Sequence, residues 1–117
     1  MLITPSDYIE QINITTDELL LLDLITQFCR LHYNTEHGLI FDLIQKARPI
    51  ASKRKLENNL LIFETYIAFH KWHSGETETT KKIIAEIRPS LLKKGLLAEY
   101  GLCIIIITLI EWSKGNV

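Results

Sequence analysis

The sequence has little of what many fold and function classes need. Two cysteines, Cys29 and Cys103, cannot build a disulfide framework; both sit among apolar neighbours, as buried thiols commonly do, and a reducing compartment is expected. Three prolines and five glycines leave little room for flexible linkers. Neither sign of charge dominates: 13 basic residues face 14 acidic ones, without the broad basic excess that nucleic-acid binding normally shows, so no direct nucleic-acid contact is expected. The longest near-continuous apolar run, Leu102 to Ile110, falls far short of the roughly 20 residues of a membrane span. The opening residues show no basic stretch followed by an apolar core, so no signal peptide is expected and the protein is placed in the cytoplasm.

Hydrophobic residues make up 47% of the 117 positions, enough to give one domain, 1–117, a real core. A repeat organises them. Shifted by 40, residues 42–77 fall on 82–117, with Arg48-Pro49 on Arg88-Pro89 and Trp72 on Trp112. Ile44, Lys53, Leu56, Ile67 and Gly75 fall on Ile84, Lys93, Leu96, Ile107 and Gly115. With only two tryptophans and three prolines in the chain, their joint coincidence at one offset carries weight. An upstream copy appears at an offset of 41, where Leu19-Leu20 meets Leu60-Leu61, Phe28 meets Phe69 and His32 meets His73.

Punctuation agrees. Thr4-Pro5 opens a short leading helix. Thr15 and Glu18 have the spacing of a capping box ahead of Leu19–Leu22. That helix is expected to reach about Tyr33, with the next starting at Asn34 or Thr35. Further helices are expected at about 56–73, 77–94 and 96–114. Pro49 and Pro89 should each bend or break the second helix of a pair. The expected fold is all-α, an antiparallel helix-pair repeat of tetratricopeptide-like type, with five main helices and a short N-terminal one. Cys103–Ile107 is β-branched, but no second run exists to pair with it as a strand.

Enzyme signatures are missing: there is no phosphate loop, no nucleophile elbow, no H-E-x-x-H and no C-x-x-C, so neither catalysis nor a cofactor is expected. His70 and His73 could share a metal, but no further ligands are apparent and none is expected to bind. Lys46, Arg48, Lys53, Arg54 and Lys55 read as a solvated face with cations near a helix end. The third helix carries the best candidate site. On a helical wheel Asn59, Tyr66, His70 and His73 share an arc of about 60°, flanked by apolar stripes. Aligned with them are Glu18 and His32 on the first helix of the repeat. Such a row suits a groove that reads a short apolar peptide or a protein partner; the alternative is core packing with the polar groups satisfied. The last helix carries only one charge, Glu99, between Leu96 and Ile110. Its apolar surface needs cover, by a homodimer through Ile104, Ile105 and Ile107 or by Leu2, Ile3, Tyr8 and Ile9 of the leading helix.

The segments LLIFETYIAFHKWHSGE, TTKKIIAEIRPSLLKKG and LLAEYGLCIIIITLIEW resemble, in pattern and helix-pair spacing, the C-terminal repeat domain of Rgg/MutR-type transcription regulators. The resemblance covers about residues 15–114. It implies a dimeric, tetratricopeptide-like domain that senses short apolar peptides and stands behind a DNA-binding helix-turn-helix. This sequence departs there, since no room for such a domain exists before Thr15. The expected function is the sensing and dimerisation module of a transcription regulator, or a short relative. The alternative is a small helical adaptor, immunity or inhibitor protein that caps one partner.

Overall fold

A computed structural model describes residues 2–114. Five helices make up the fold: α1 (Pro5–Ile14), α2 (Glu18–Lys53), α3 (Glu57–His73), α4 (Thr77–Lys93) and α5 (Leu97–Ser113). No strand occurs among the described residues.

α2 is not one straight rod. Thirty-six residues would extend roughly 54 Å at the α-helical rise, yet the molecule's longest extent is 47 Å and the two ends of α2 meet. The Arg54 guanidinium donates to Glu18 Oε1 at 2.9 Å. The chain therefore folds back on itself at Glu36, whose φ of −119° and ψ of 28° are the non-helical angles inside α2. Asn34, Thr35, His37 and Gly38 around it are all weak helix formers, so the break falls where the helix holds least. Two antiparallel arms result, 18–35 and 37–53.

The second arm of α2 and the three helices after it keep one rhythm. Helix ends fall at Lys53, His73, Lys93 and Ser113, each 20 residues apart, and α3, α4 and α5 are each 17 residues long. The turns between them repeat too. Lys55, Gly75 and Gly95 all take positive φ, at 57°, 83° and 72°. Behind each, two backbone N–H groups reach back to orphan carbonyls: Lys55 to Ser52 and Leu56 to Ala51, Gly75 to Trp72 and Glu76 to Lys71, Gly95 to Leu92 and Leu96 to Leu91. This left-handed stop explains the two glycines, since only glycine enters that region without a steric penalty. Gly115 continues the interval in sequence but lies outside the described residues.

Three expectations need correction. Pro49 and Pro89 lie inside their helices without breaking them, because each sits four residues from the helix end and removes a single backbone bond near the last turn. Asp17, not Thr15, caps α2, accepting from the N–H groups of Leu19 and Leu20, while Thr15 closes α1. The first arm begins 39 residues before α3, so the upstream register of 41 is not kept at the helix start.

α3 forms the middle of the molecule. Ile62, Phe63, Thr65, Tyr66, Ile67, Ala68 and Phe69 are all buried and point to every side of the helix, so it is enclosed by its neighbours α2, α4 and α5. α1 packs against α2 alone, Tyr8 stacking on Phe28 at 5.6 Å between ring centroids. No helix among the described residues is long and apolar enough to cross a membrane.

Candidate functional site

The polar row on α3 is brought together, but as a seam against α2. Asn59 donates to the Thr26 hydroxyl at 3.2 Å. Tyr66 lies against Tyr33, ring centroids 5.6 Å apart, and is 3% exposed. His70 Nδ1 is 2.9 Å from His37 Nδ1, so one of these nitrogens donates and the other accepts. All three pairs are 33 residues apart; Thr26 and Tyr33 give the stagger between the first arm of α2 and α3, and His37, just past the break at Glu36, keeps it. The expected groove is thus filled by Thr26, Tyr33 and His37. The row's polar tips were legible in the sequence; their partners depended on that stagger, which composition does not encode.

Across the same seam lies a group that the sequence shows only as the one charge between Leu96 and Ile110. Glu99 of α5 is fully buried and receives three hydrogen bonds: Arg30 Nε at 3.1 Å, Arg30 Nη2 at 2.8 Å and the Tyr66 hydroxyl at 2.7 Å. Arg30 thereby ties the first arm of α2 to α5 over the middle of α3. Burial, with the Glu99 carboxylate beside it, pushes the Tyr66 hydroxyl far above its ordinary range, so it stays a donor. Cys29 and Cys103 lie nearby with no exposure, as free thiols. Burial raises both, Cys103 to about 11, so neither is an activated nucleophile.

His73 is exposed and stacks on His37 at 4.6 Å, with Phe69 and Trp72 beside it. Burial first, and His37 second, lower both His70 and His73 below the ordinary imidazole value. Among the described residues no cluster of three or more His, Cys, Asp or Glu side chains is arranged to hold a metal ion. His32 serves α1: its Nε2 donates to the Ile3 carbonyl at 2.8 Å. Glu18 closes the hairpin of α2 through Arg54 and Lys53, and the Arg54 hydrogen bond holds its carboxyl below the usual range. Glu57 and Lys94 repeat the clasp between α3 and the end of α4 at 2.9 Å. Acid in a first turn and base at a helix end also suit both helix dipoles. Much of the basic cluster is used in this way, with Arg48 paired to Glu64.

Among the described residues nothing covers an apolar stripe on the outer side of α5. Leu97, Ile105 and Trp112 are 63%, 55% and 63% exposed, and Ile104 is 38% exposed. With Gly101 and Thr108 they share an arc of about 100° on one side of the helix. Ile107, expected among these, instead packs partly buried against the core. The sequence leaves Cys103–Ile107 apolar on every side; which side stays open follows from packing, since Cys103, Ile106 and Ile110 turn inward. At the equivalent places on α3, Thr65 and Ala68 have no exposure, and the Thr80 hydroxyl of α4 reaches the Ala68 carbonyl. Trp72 and Trp112 occupy the same helix position, but Trp72 is partly buried against the core while Trp112 is largely exposed. The leading helix does not supply cover, because α1 touches only α2. An open hollow of about 370 Å³ is lined by Gln45, Arg48, Pro49, Ser52 and Leu60. Comparison with protein families, with curated proteins and with solved structures returns no match for this chain.

Proposed function

We propose that this chain is a helical binding module whose working surface is the outer face of α5, and that it docks an apolar helix face of a protein partner. The observation that carries this reading is that Leu97, Ile104, Ile105 and Trp112, all exposed, fall on one side of a single helix. A contiguous apolar strip on a small domain marks an interaction surface. Leaving such side chains wet forgoes about 1.5–3 kcal/mol each for full burial, which is large against a net stability of about 5–15 kcal/mol. An amphipathic helix laid along the strip would recover that term through i, i+3, i+4 and i+7 contacts.

Of the two readings drawn from sequence, this supports the adaptor more than the peptide sensor. A peptide on the seam of Asn59, Tyr66 and His70 would have to displace Thr26, Tyr33 and His37 from their places on α2. The membership in a transcription-regulator system that the Rgg/MutR resemblance implied stays a proposal about context, to which the α5 surface adds a docking face. A photo-reactive residue placed at Thr108 in the producing cell tests the reading. We expect one discrete covalent protein adduct, lost when Ile105→Lys is added, and none from the same probe at Lys46. Equal labelling from both positions, or none from Thr108, would sink it.

A further inference from the structure

The stripe on α5 is symmetric along its own length. Its positions, 97, 101, 104, 105, 108 and 112, map onto themselves when reversed about the point midway between Ile104 and Ile105. Leu97 exchanges with Trp112, Gly101 with Thr108, and Ile104 with Ile105. Two copies of the helix laid antiparallel across a two-fold axis would therefore place a large side chain against a large one at both ends. Small residues would meet small ones between, and isoleucines would meet at the centre. None of the six is ionisable, so the pairing brings no like charges together.

Gly101 supplies a second observation. It lies in the middle of α5, where glycine weakens a helix, yet a Cβ built there meets nothing within 4 Å. The fold of the single chain gives no reason for glycine at this place. A helix crossing closely over it does, because interaxial distances near the short end, about 8 Å, need small side chains at the contact.

We infer that the partner of the α5 face is a second copy of this chain, bound through an antiparallel α5–α5 pairing centred between Ile104 and Ile105. The inference rests on the docking reading above and names its occupant. Self-complementary pairing of one patch about a two-fold axis is the commonest closed arrangement of identical subunits. Leu97 then packs on the partner's Trp112, and Gly101 faces the partner's Thr108.

Sedimentation equilibrium on the full chain reads the association, with circular dichroism reporting the fold of each variant. The chain is expected to be a dimer. Ile105→Lys and Gly101→Leu are expected to raise its dissociation constant at least tenfold while helicity is kept; Lys82→Glu on α4 should leave it unchanged. The register is read by cysteines. Gly101→Cys with Thr108→Cys in one chain should give a covalent dimer on oxidation. Thr108→Cys alone should not, because the two copies of that residue would sit about 10 Å apart along the axis, beyond disulfide reach. A monomer at all concentrations overturns the second copy while the Thr108 adduct still decides the docking reading. A dimer indifferent to both α5 substitutions overturns both. A covalent dimer from the single Thr108→Cys variant overturns the register.

Discussion

At the scale of single residues, Glu99 joins three helices. Its carboxylate is removed from water and is accommodated only because Arg30 and Tyr66 satisfy it. Removing the Tyr66 hydroxyl should therefore cost more than an ordinary surface hydrogen bond. Tyr66→Phe is expected to lower the unfolding free energy by about 1.5–3 kcal/mol, the range for hydrogen bonds to charged groups, without changing the helical spectrum. Urea denaturation checks it, and a loss under about 0.5 kcal/mol would show that water replaces the hydroxyl. The sequence marks Tyr66 as part of the polar row and Glu99 as the one charge between Leu96 and Ile110. It could not pair them, because they belong to different helices whose relative stagger is set by packing. Arg30 carries no motif, and its reach to Glu99 spans 69 residues. Asn59 and His70 show the same limit: their polarity was legible, but a side chain facing a ligand and one facing a neighbouring helix look alike in one dimension.

At the scale of elements, the 40-residue period was legible because rare residues marked it, and the helix ends follow it through the recurring left-handed stops at Lys55, Gly75 and Gly95. The prolines were misleading. A helix tolerates the loss of one backbone bond close to its end, so the real break is the fold at Glu36, where no proline stands. That fold is flanked by His37, which contacts His70 and stacks on His73. The charged groups acting on His70 are His37 and Lys71, which lower it, and Asp42 and Glu76, which oppose them more weakly. Desolvation is the largest cause for both His70 and His73, so the folded chain binds fewer protons than the unfolded one as they titrate. The stability they confer is present above the ordinary value of 6.5 and is lost as pH falls through their lower folded values. Thermal unfolding between pH 7 and 5 should show a falling midpoint, flattened in a His70→Gln, His73→Gln variant. A wild-type midpoint constant over that interval would contradict this. A second decline, at lower pH, belongs to Asp7, Glu18 and Glu57, whose carboxyls are held down by hydrogen bonds from the Thr4 backbone, Arg54 and Lys94 respectively.

For the whole molecule, the consequence of a 40-residue repeat is that every helix pair offers the next one a surface. α3 has its surface taken by α4 and α5, and is buried on all sides. α5 has the same kind of surface with nothing on it among the described residues. Composition made that surplus of apolar side chains legible, and the stripe's mirror order is what the proposed pairing rests on. Trp112 reports on it directly. In a Trp72→Phe variant it is the sole tryptophan, 63% exposed in the single chain and placed at the edge of the proposed contact. Iodide quenching of its fluorescence, followed as protein concentration rises from nanomolar to high micromolar, should fall as the partner's Leu97 covers the indole, and Ile105→Lys should restore it. Quenching that stays high and constant at every concentration would contradict association through α5.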